Sequence, residues 1–182
     1  MASLALVDLM ALPGCNGAQG AGLARFEAAL AAQDSATAAL AGWCVAQGFA
    51  RDPVITAQIV RGKDAVPPPD LRGLLEVGAA EAIAYRHVRL SCGATVLSEA
   101  HNWYVPARLT ADMNALLAGS DTPFGKVAAP LRFRRVPLAT AGGRIAPCPP
   151  GTISTHRALL RLPEGEPLAL VVECYTPANL SR

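Results

Sequence analysis

Two ions stand in strand-like apolar surroundings, and they are where chemistry is expected. From Ala82 to Leu90, alternate side chains fall on opposite faces. Ala82, Ala84, Arg86, Val88 and Leu90 share one side, while Ile83, Tyr85, His87 and Arg89 share the other. Arg86 therefore belongs to the more apolar face. Farther along, Leu168 to Val172 is an unbroken apolar run followed by Glu173 and Cys174, the pattern of a strand covered on both sides. Burying either ion alone is expensive, so each must meet a partner or a ligand. They can pair with each other, or they can hold a ligand between them. An arginine fork clasps a planar carboxylate bidentately, and a buried carboxyl that keeps its proton can hold or donate it. A third feature is Thr122-Pro123-Phe124-Gly125, whose Pro and Gly fix a turn. Such a turn can offer a backbone amide and an aromatic lid to a ligand, or simply connect two elements.

The elements that position these residues follow from spacing. Leu4 to Leu12 predicts a short helix, after which Gly14, Gly17, Gly20 and Gly22 predict a flexible loop. Leu23, Phe26 and Leu30 form one helical stripe. Asp34 and Ser35 can cap a second helix running to about Gln47 and stopping at Gly48. Beyond Pro53 the chain turns to strands: Val54 to Val60, Ala82 to Leu90, Thr95 to Val105, Leu131 to Leu138, Ile153 to Leu162 and Pro167 to Thr176. The Pro67-Pro68-Pro69 run predicts a rigid extended linker. Asp70 can cap a short helix holding Leu71, Leu74 and Leu75, and Thr110 a longer one ending near Gly119. Pro163-Glu164-Gly165-Glu166 predicts a hairpin between the last two strands. The βαβ alternation of a parallel sheet is absent. The expected fold is α+β: a single six-stranded antiparallel sheet with helices packed mainly on one face, one domain over 1–182, with 1–22 a loosely attached segment.

Composition narrows the function classes. The chain has 182 residues, 52% of them apolar and 16% charged, with 16 basic against 14 acidic side chains. That fills one core, excludes disorder and leaves no field that would collect nucleic acid or an anionic membrane. Lys63 and Lys126 are the only lysines, so the positive charge is carried by arginine, which favours small anionic ligands. The cluster Arg132, Arg134 and Arg135 reads as a solvated face or a substrate-attracting rim. Five cysteines without a CxxC pair argue against disulfide and zinc frameworks, and Cys174 reads as a small core residue. His87, His101 and His156 are too scattered to suggest a metal, and the Glu99–Trp103 strand reads as solvated on one face. No apolar run is long enough to span a bilayer, and the apolar stretch ending at Cys15 makes a poor export signal, so a cytoplasmic protein, monomeric or weakly dimeric, is expected.

Several segments, in their order and spacing from about Asp34 to Ala178, resemble the chorismate lyase family, which removes pyruvate from chorismate to leave 4-hydroxybenzoate. They are Asp34-Ser35-Ala36-Thr37, Tyr85-Arg86-His87-Val88, Tyr104-Val105-Pro106, Thr122-Pro123-Phe124-Gly125 and Leu170-Val171-Val172-Glu173-Cys174-Tyr175-Thr176-Pro177. The resemblance implies that Arg86 clasps the ring carboxylate and that Glu173 faces the other end of the ligand as the catalytic acid. It implies backbone amides near Ala36, Phe124 and Gly125, no metal or organic cofactor, and a small aromatic or enolpyruvyl carboxylate as ligand. The chain departs from the family at Ala84, where a tryptophan is usual, and at His87, where a glutamate is. It departs again at Thr155-His156-Arg157, which leaves His156 and Arg157 as secondary contacts where the family is arginine-rich. Proteins of this fold also serve transcription regulators as effector-binding domains. A binding module without catalysis is therefore the alternative expectation. In either case the helix from Thr110 to Leu117, the Phe124 turn and the Asp34 to Thr37 segment are expected to form a lid.

Overall fold

The computed structural model describes residues 15–62 and 64–180. Its helices begin and end where side chains can satisfy the orphan backbone groups. Helix α1 (Cys15–Ala31) leads into α2 (Ala36–Gln47). The Ser35 hydroxyl accepts from the Ala38 amide at the start of α2, and Gly48, at φ 63°, closes its end. Ala39, Leu40, Trp43 and Cys44 form the stripe that α2 buries. Helix α1 departs from the sequence expectation, since Gly17, Gly20 and Gly22 lie inside it. Packing supplies the reason at Gly22, where a Cβ would sit 3.3 Å from the Leu180 carbonyl oxygen, so the missing side chain lets the C-terminal turn approach. The helix expected over Leu4 to Leu12 lies outside the described residues.

Strands β1 (Ile55–Ile59), β2 (Ala84–Cys92), β3 (Thr95–Tyr104), β4 (Arg134–Gly142), β5 (Ser154–Arg161) and β6 (Pro167–Tyr175) form one antiparallel sheet in the order β1-β2-β3-β6-β5-β4. The α+β expectation with six strands holds. All nine residues of β6 are buried, as its apolar run requires of an inner strand. β4 is an edge strand, mostly exposed, and tolerates Pro137 and a bulge there. It begins three residues later than the expected Leu131, because a 3-10 turn over Ala129–Leu131 takes up the start. Gly165, at φ 92°, makes the expected reversal between β5 and β6.

One face of the sheet carries α1, α2, α4 (Ala111–Gly119) and the short α5 (Phe124–Val127). Phe26, Leu40 and Trp43 pack there on Val88, Leu90, Ala100 and Tyr175, while Leu117, Phe124 and Phe133 pack on Leu160 and Val171. The opposite face is covered by α3 (Leu71–Leu74) and its neighbours, with Leu71 and Leu75 against Trp103, Leu159, Leu170 and Val172. Asp70 makes no side-chain cap to α3. Its carboxylate pairs with Arg157 of β5 instead.

Two disulfides cross these layers, Cys44–Cys92 from α2 to β2 and Cys148–Cys174 from the β4–β5 connection to β6. This overturns the expectation that no disulfide framework exists, and Cys174 is a cross-linked residue. The partners are 48 and 26 residues apart in sequence, so spacing alone could not pair them.

Candidate functional site

Alternation on β6 sends Val171, Glu173 and Tyr175 to the helix-covered face, where α2 and α5 sit above them. Between these helices and the sheet lies a cavity of about 30 Å³ lined by Ala36, Phe124, Gly125 and Glu173, together with Arg135 and apolar side chains such as Leu90, Phe133 and Val171. Four of the residues singled out from the sequence thus come together. The close fit between α2 and α5 depends on Gly125. A Cβ there would lie 2.5 Å from the Ser35 hydroxyl and 2.9 Å from that of Thr37.

Arg86 is not among the residues lining this cavity. It sits on the same sheet face, two pairing rows along from Val88 and Glu173. Its guanidinium donates to the carbonyl oxygens of Ser120 at 2.9 Å and Thr122 at 3.1 Å, and its Nε is buried without a partner among the described residues. Burial lowers its affinity for a proton, partly offset by Tyr104 and Asp121.

The arginine at Glu173 is Arg135. Its Nη1 and Nη2 donate to the two Glu173 oxygens at 2.8 and 2.5 Å, and the Tyr175 hydroxyl donates to the carboxylate at 3.0 Å. Burial disfavours the charge on Arg135, but Glu173 outweighs that and raises its pKa above the ordinary guanidinium value. Burial, and then the Glu173 charge, push the Tyr175 hydroxyl well above its usual pKa. From sequence, Arg135 belongs to a cluster that reads as a solvated face or a substrate-attracting rim, and Tyr175 has no assigned role; the structure puts Arg135 on the wall of the cleft and ties it to Glu173. The signal for both was alternation: Arg135 stands two residues after buried Phe133, and Tyr175 two after Glu173.

His156 and Arg157 both line one cleft but take different partners. His156, opposite Glu173 in the β5–β6 register, lies 2.7 Å from a Glu27 oxygen of α1 and edge-on to Tyr175. Glu27 also accepts from Ser154 at 2.5 Å. Arg157 binds Asp70 through 2.8 and 3.0 Å contacts. Beside His156 a cleft of about 390 Å³ opens under the α1–α2 connection, lined by Glu27, Gln33, Asp34, Arg135, Thr140 and His156, among others. Arg135 is the wall shared by cleft and cavity. Asp34 latches that connection to the edge strand by accepting from the Arg135 amide at 3.3 Å.

The expectation of scattered histidines fails for two of the three. His87 and His101 are directly opposed across β2 and β3, their rings stacked 4.2 Å apart. Glu99 and His101 lie on a covered face, not a solvated one.

No family model matches the chain. It is 40% identical over 176 residues to the uncharacterized protein y4mC of Sinorhizobium fredii, an alignment covering 85% of this chain and 73% of that protein. Its structure is similar to the effector domain of PhnF from Mycobacterium smegmatis, with 13% identity and a TM-score of 0.56 over 80% of this chain and 90% of that one. PhnF from the same organism gives 14% identity and a TM-score of 0.56 over 82% of this chain, which spans 66% of that longer one. At such identities the likeness is one of fold. No helix among the described residues is long and apolar enough to cross a membrane.

Proposed function

The chain belongs to one family with y4mC, and from that premise we propose that it is a binding module for a small aromatic carboxylic acid, which it holds without converting. The observation that carries this reading is the engagement of Glu173. Both of its oxygens are taken by the Arg135 fork, and one also accepts from Tyr175, which leaves neither placed to hand a proton to a ligand. A buried acid held in this way is suited to positioning an arginine and unsuited to general acid catalysis.

Arg135 is the proposed carboxylate anchor. It is held charged, it is fixed by Glu173, and it faces the cleft and the cavity together. Ser35 and Thr37 supply hydroxyls at the same wall, and Phe124, Phe133, Leu160 and Val171 supply an apolar bed for a ring. The inner cavity has room for little more than a water molecule, whereas the cleft is of the size that small ligands use. Ligand entry therefore requires residues 33–37 to lift, with the Asp34 latch released.

The second reading is elimination of pyruvate from chorismate. It is favoured by Ala36, Phe124, Gly125 and Glu173 lining one cavity. A reaction driven by aromatisation asks the protein mainly to bind, orient and shield. The two readings separate in one pair of measurements on the purified chain. Calorimetric titration with 4-hydroxybenzoate is expected to show saturable one-to-one binding. Incubation with chorismate is expected to give no 4-hydroxybenzoate above the uncatalysed rate. Product above that rate would establish the lyase, and absence of binding would overturn the module.

A further inference from the structure

The sheet face opposite that cavity carries a second cluster. Within it, His87 Nε2 lies 2.8 Å from Glu99 Oε1, while Glu99 Oε2 accepts from Arg89 at 3.2 Å. His101 Nδ1 is 2.8 Å from the Tyr85 hydroxyl, which also accepts from the Ala65 amide at 3.0 Å. His101 is only 2% exposed, and its Nε2 is buried with no hydrogen-bond partner among the described residues. One donor atom from each of His87, Glu99 and His101 lies within 4.8 Å of the others. Beside them is a cavity of about 350 Å³, lined also by Asp64, Arg89, Arg144 and Cys148.

We propose that His87, Glu99 and His101 bind one divalent first-row transition ion of the zinc type, with its remaining coordination position open to the adjoining cavity. The donor chemistry selects the ion. Two imidazoles and one carboxylate are the three-ligand set of open zinc sites. A single carboxylate shared with Arg89 does not serve calcium or magnesium, which take mainly oxygen ligands. Tetrahedral ligands around zinc stand about 3.3 Å apart, so donors up to 4.8 Å apart must draw in by as much as about 1.5 Å, while His87 Nε2 and Glu99 Oε1, at 2.8 Å, open slightly.

An ion pair between His87 and Glu99, backed by Arg89, would explain those two side chains without a metal. It leaves His101 Nε2 unexplained, and a buried polar nitrogen without a partner is rare. An ion at this point satisfies it. Tyr85 then has the role of an outer partner, holding the far nitrogen of a ligand histidine and setting its orientation. Pleat and register bring the donors together: His87 pairs with His101, and Glu99 precedes His101 by two residues on the same face.

The test uses the full, disulfide-intact chain, stripped with a chelator and titrated with Zn²⁺ in competition with a chromophoric chelator. One equivalent is expected to bind, with His101→Ala weakening affinity at least a hundredfold. Tyr85→Phe is expected to weaken it roughly 10- to 100-fold, and it carries the comparison where His101→Ala fails to fold. Zinc-edge X-ray absorption is expected to show nitrogen and oxygen ligands at about 2.0–2.1 Å with imidazole scattering. Equal zinc affinity in the wild type and whichever variant folds would overturn the proposal. So would sulfur ligands at about 2.3 Å, which would place the metal on a cysteine.

Discussion

Arg135 and Arg86 both spend their guanidinium groups inside the protein, and the partner of each decides what its loss would do. Arg135 meets a carboxylate at a cavity wall, while Arg86 meets two main-chain carbonyl oxygens. Arg135→Lys is expected to weaken 4-hydroxybenzoate binding by roughly tenfold or more, because a point charge cannot keep a bidentate grip. Arg86→Lys is expected to leave that affinity within about threefold while lowering unfolding free energy by about 1.5 to 3 kcal/mol, the range for hydrogen bonds to charged groups. Calorimetry and urea denaturation of both variants read the two effects, and the reverse pattern would return the anchor to Arg86. Both buried ions were legible in the sequence, because a charge inside an apolar strand is conspicuous. Their partners were not. Arg135 stands in a run with Arg132 and Arg134 that reads as a solvated face or a substrate-attracting rim, and which of three arginines turns inward depends on the pleat of an edge strand.

The elements over the cavity are held by contacts that leave little slack. Gly125→Ala would set a methyl group 2.5 Å from the Ser35 hydroxyl, so either the Ser35 and Thr37 hydroxyls turn away or α5 and the start of α2 separate. A cost of about 1 to 3 kcal/mol is expected, as for other overpacked sites, with weaker ligand binding alongside. Thermal unfolding and titration of the variant check both, and an unchanged melting temperature would mean that the hydroxyls or the two helices yield freely. The α1–α2 connection is the part placed to open, since Asp34 holds it through one 3.3 Å bond to the Arg135 amide. Amides of residues 33–37 are expected to gain hydrogen-exchange protection when 4-hydroxybenzoate binds, whereas α4, which lines neither cavity nor cleft, is expected to change little. Equal gains over 111–119 would restore α4 to the lid. At this scale the sequence was largely readable. Ser35 and Gly48 mark both ends of α2, Thr110 caps α4, and apolar alternation gives six strands. What escaped was the glycine-bearing turn of α1, because glycine weakens a helix locally while the gain from close packing against residue 180 is long-range.

Across the whole molecule, burial and cross-linking make two properties measurable. Burial pushes up the pKa of all three tyrosines: desolvation leads at Tyr85, Tyr104 and Tyr175, with the Glu173 charge adding at Tyr175. An unfolded chain releases phenolic protons near pH 10 while the folded chain keeps them, so this contribution to stability is intact below pH 10 and is lost as pH rises beyond it. Tyrosinate absorbance is therefore expected to appear together with loss of the folded circular dichroism signal. Ionisation of all three well before unfolding would contradict the buried environments. The two disulfides close loops of 48 and 26 residues, each worth on the order of 3 to 4 kcal/mol in chain entropy. A reductant is expected to lower the melting temperature markedly, and no change would show that the four thiols are unpaired. On the proposed function, the Arg135 site holds a small aromatic acid and does not transform it. The most direct test is to add chorismate to the purified chain in a calorimeter while following 4-hydroxybenzoate by absorbance. Saturable heat that Arg135→Lys reduces, with product at the uncatalysed rate, is the expected result. Product formed faster than that rate, or no heat from chorismate or from 4-hydroxybenzoate added after it, would contradict the claim.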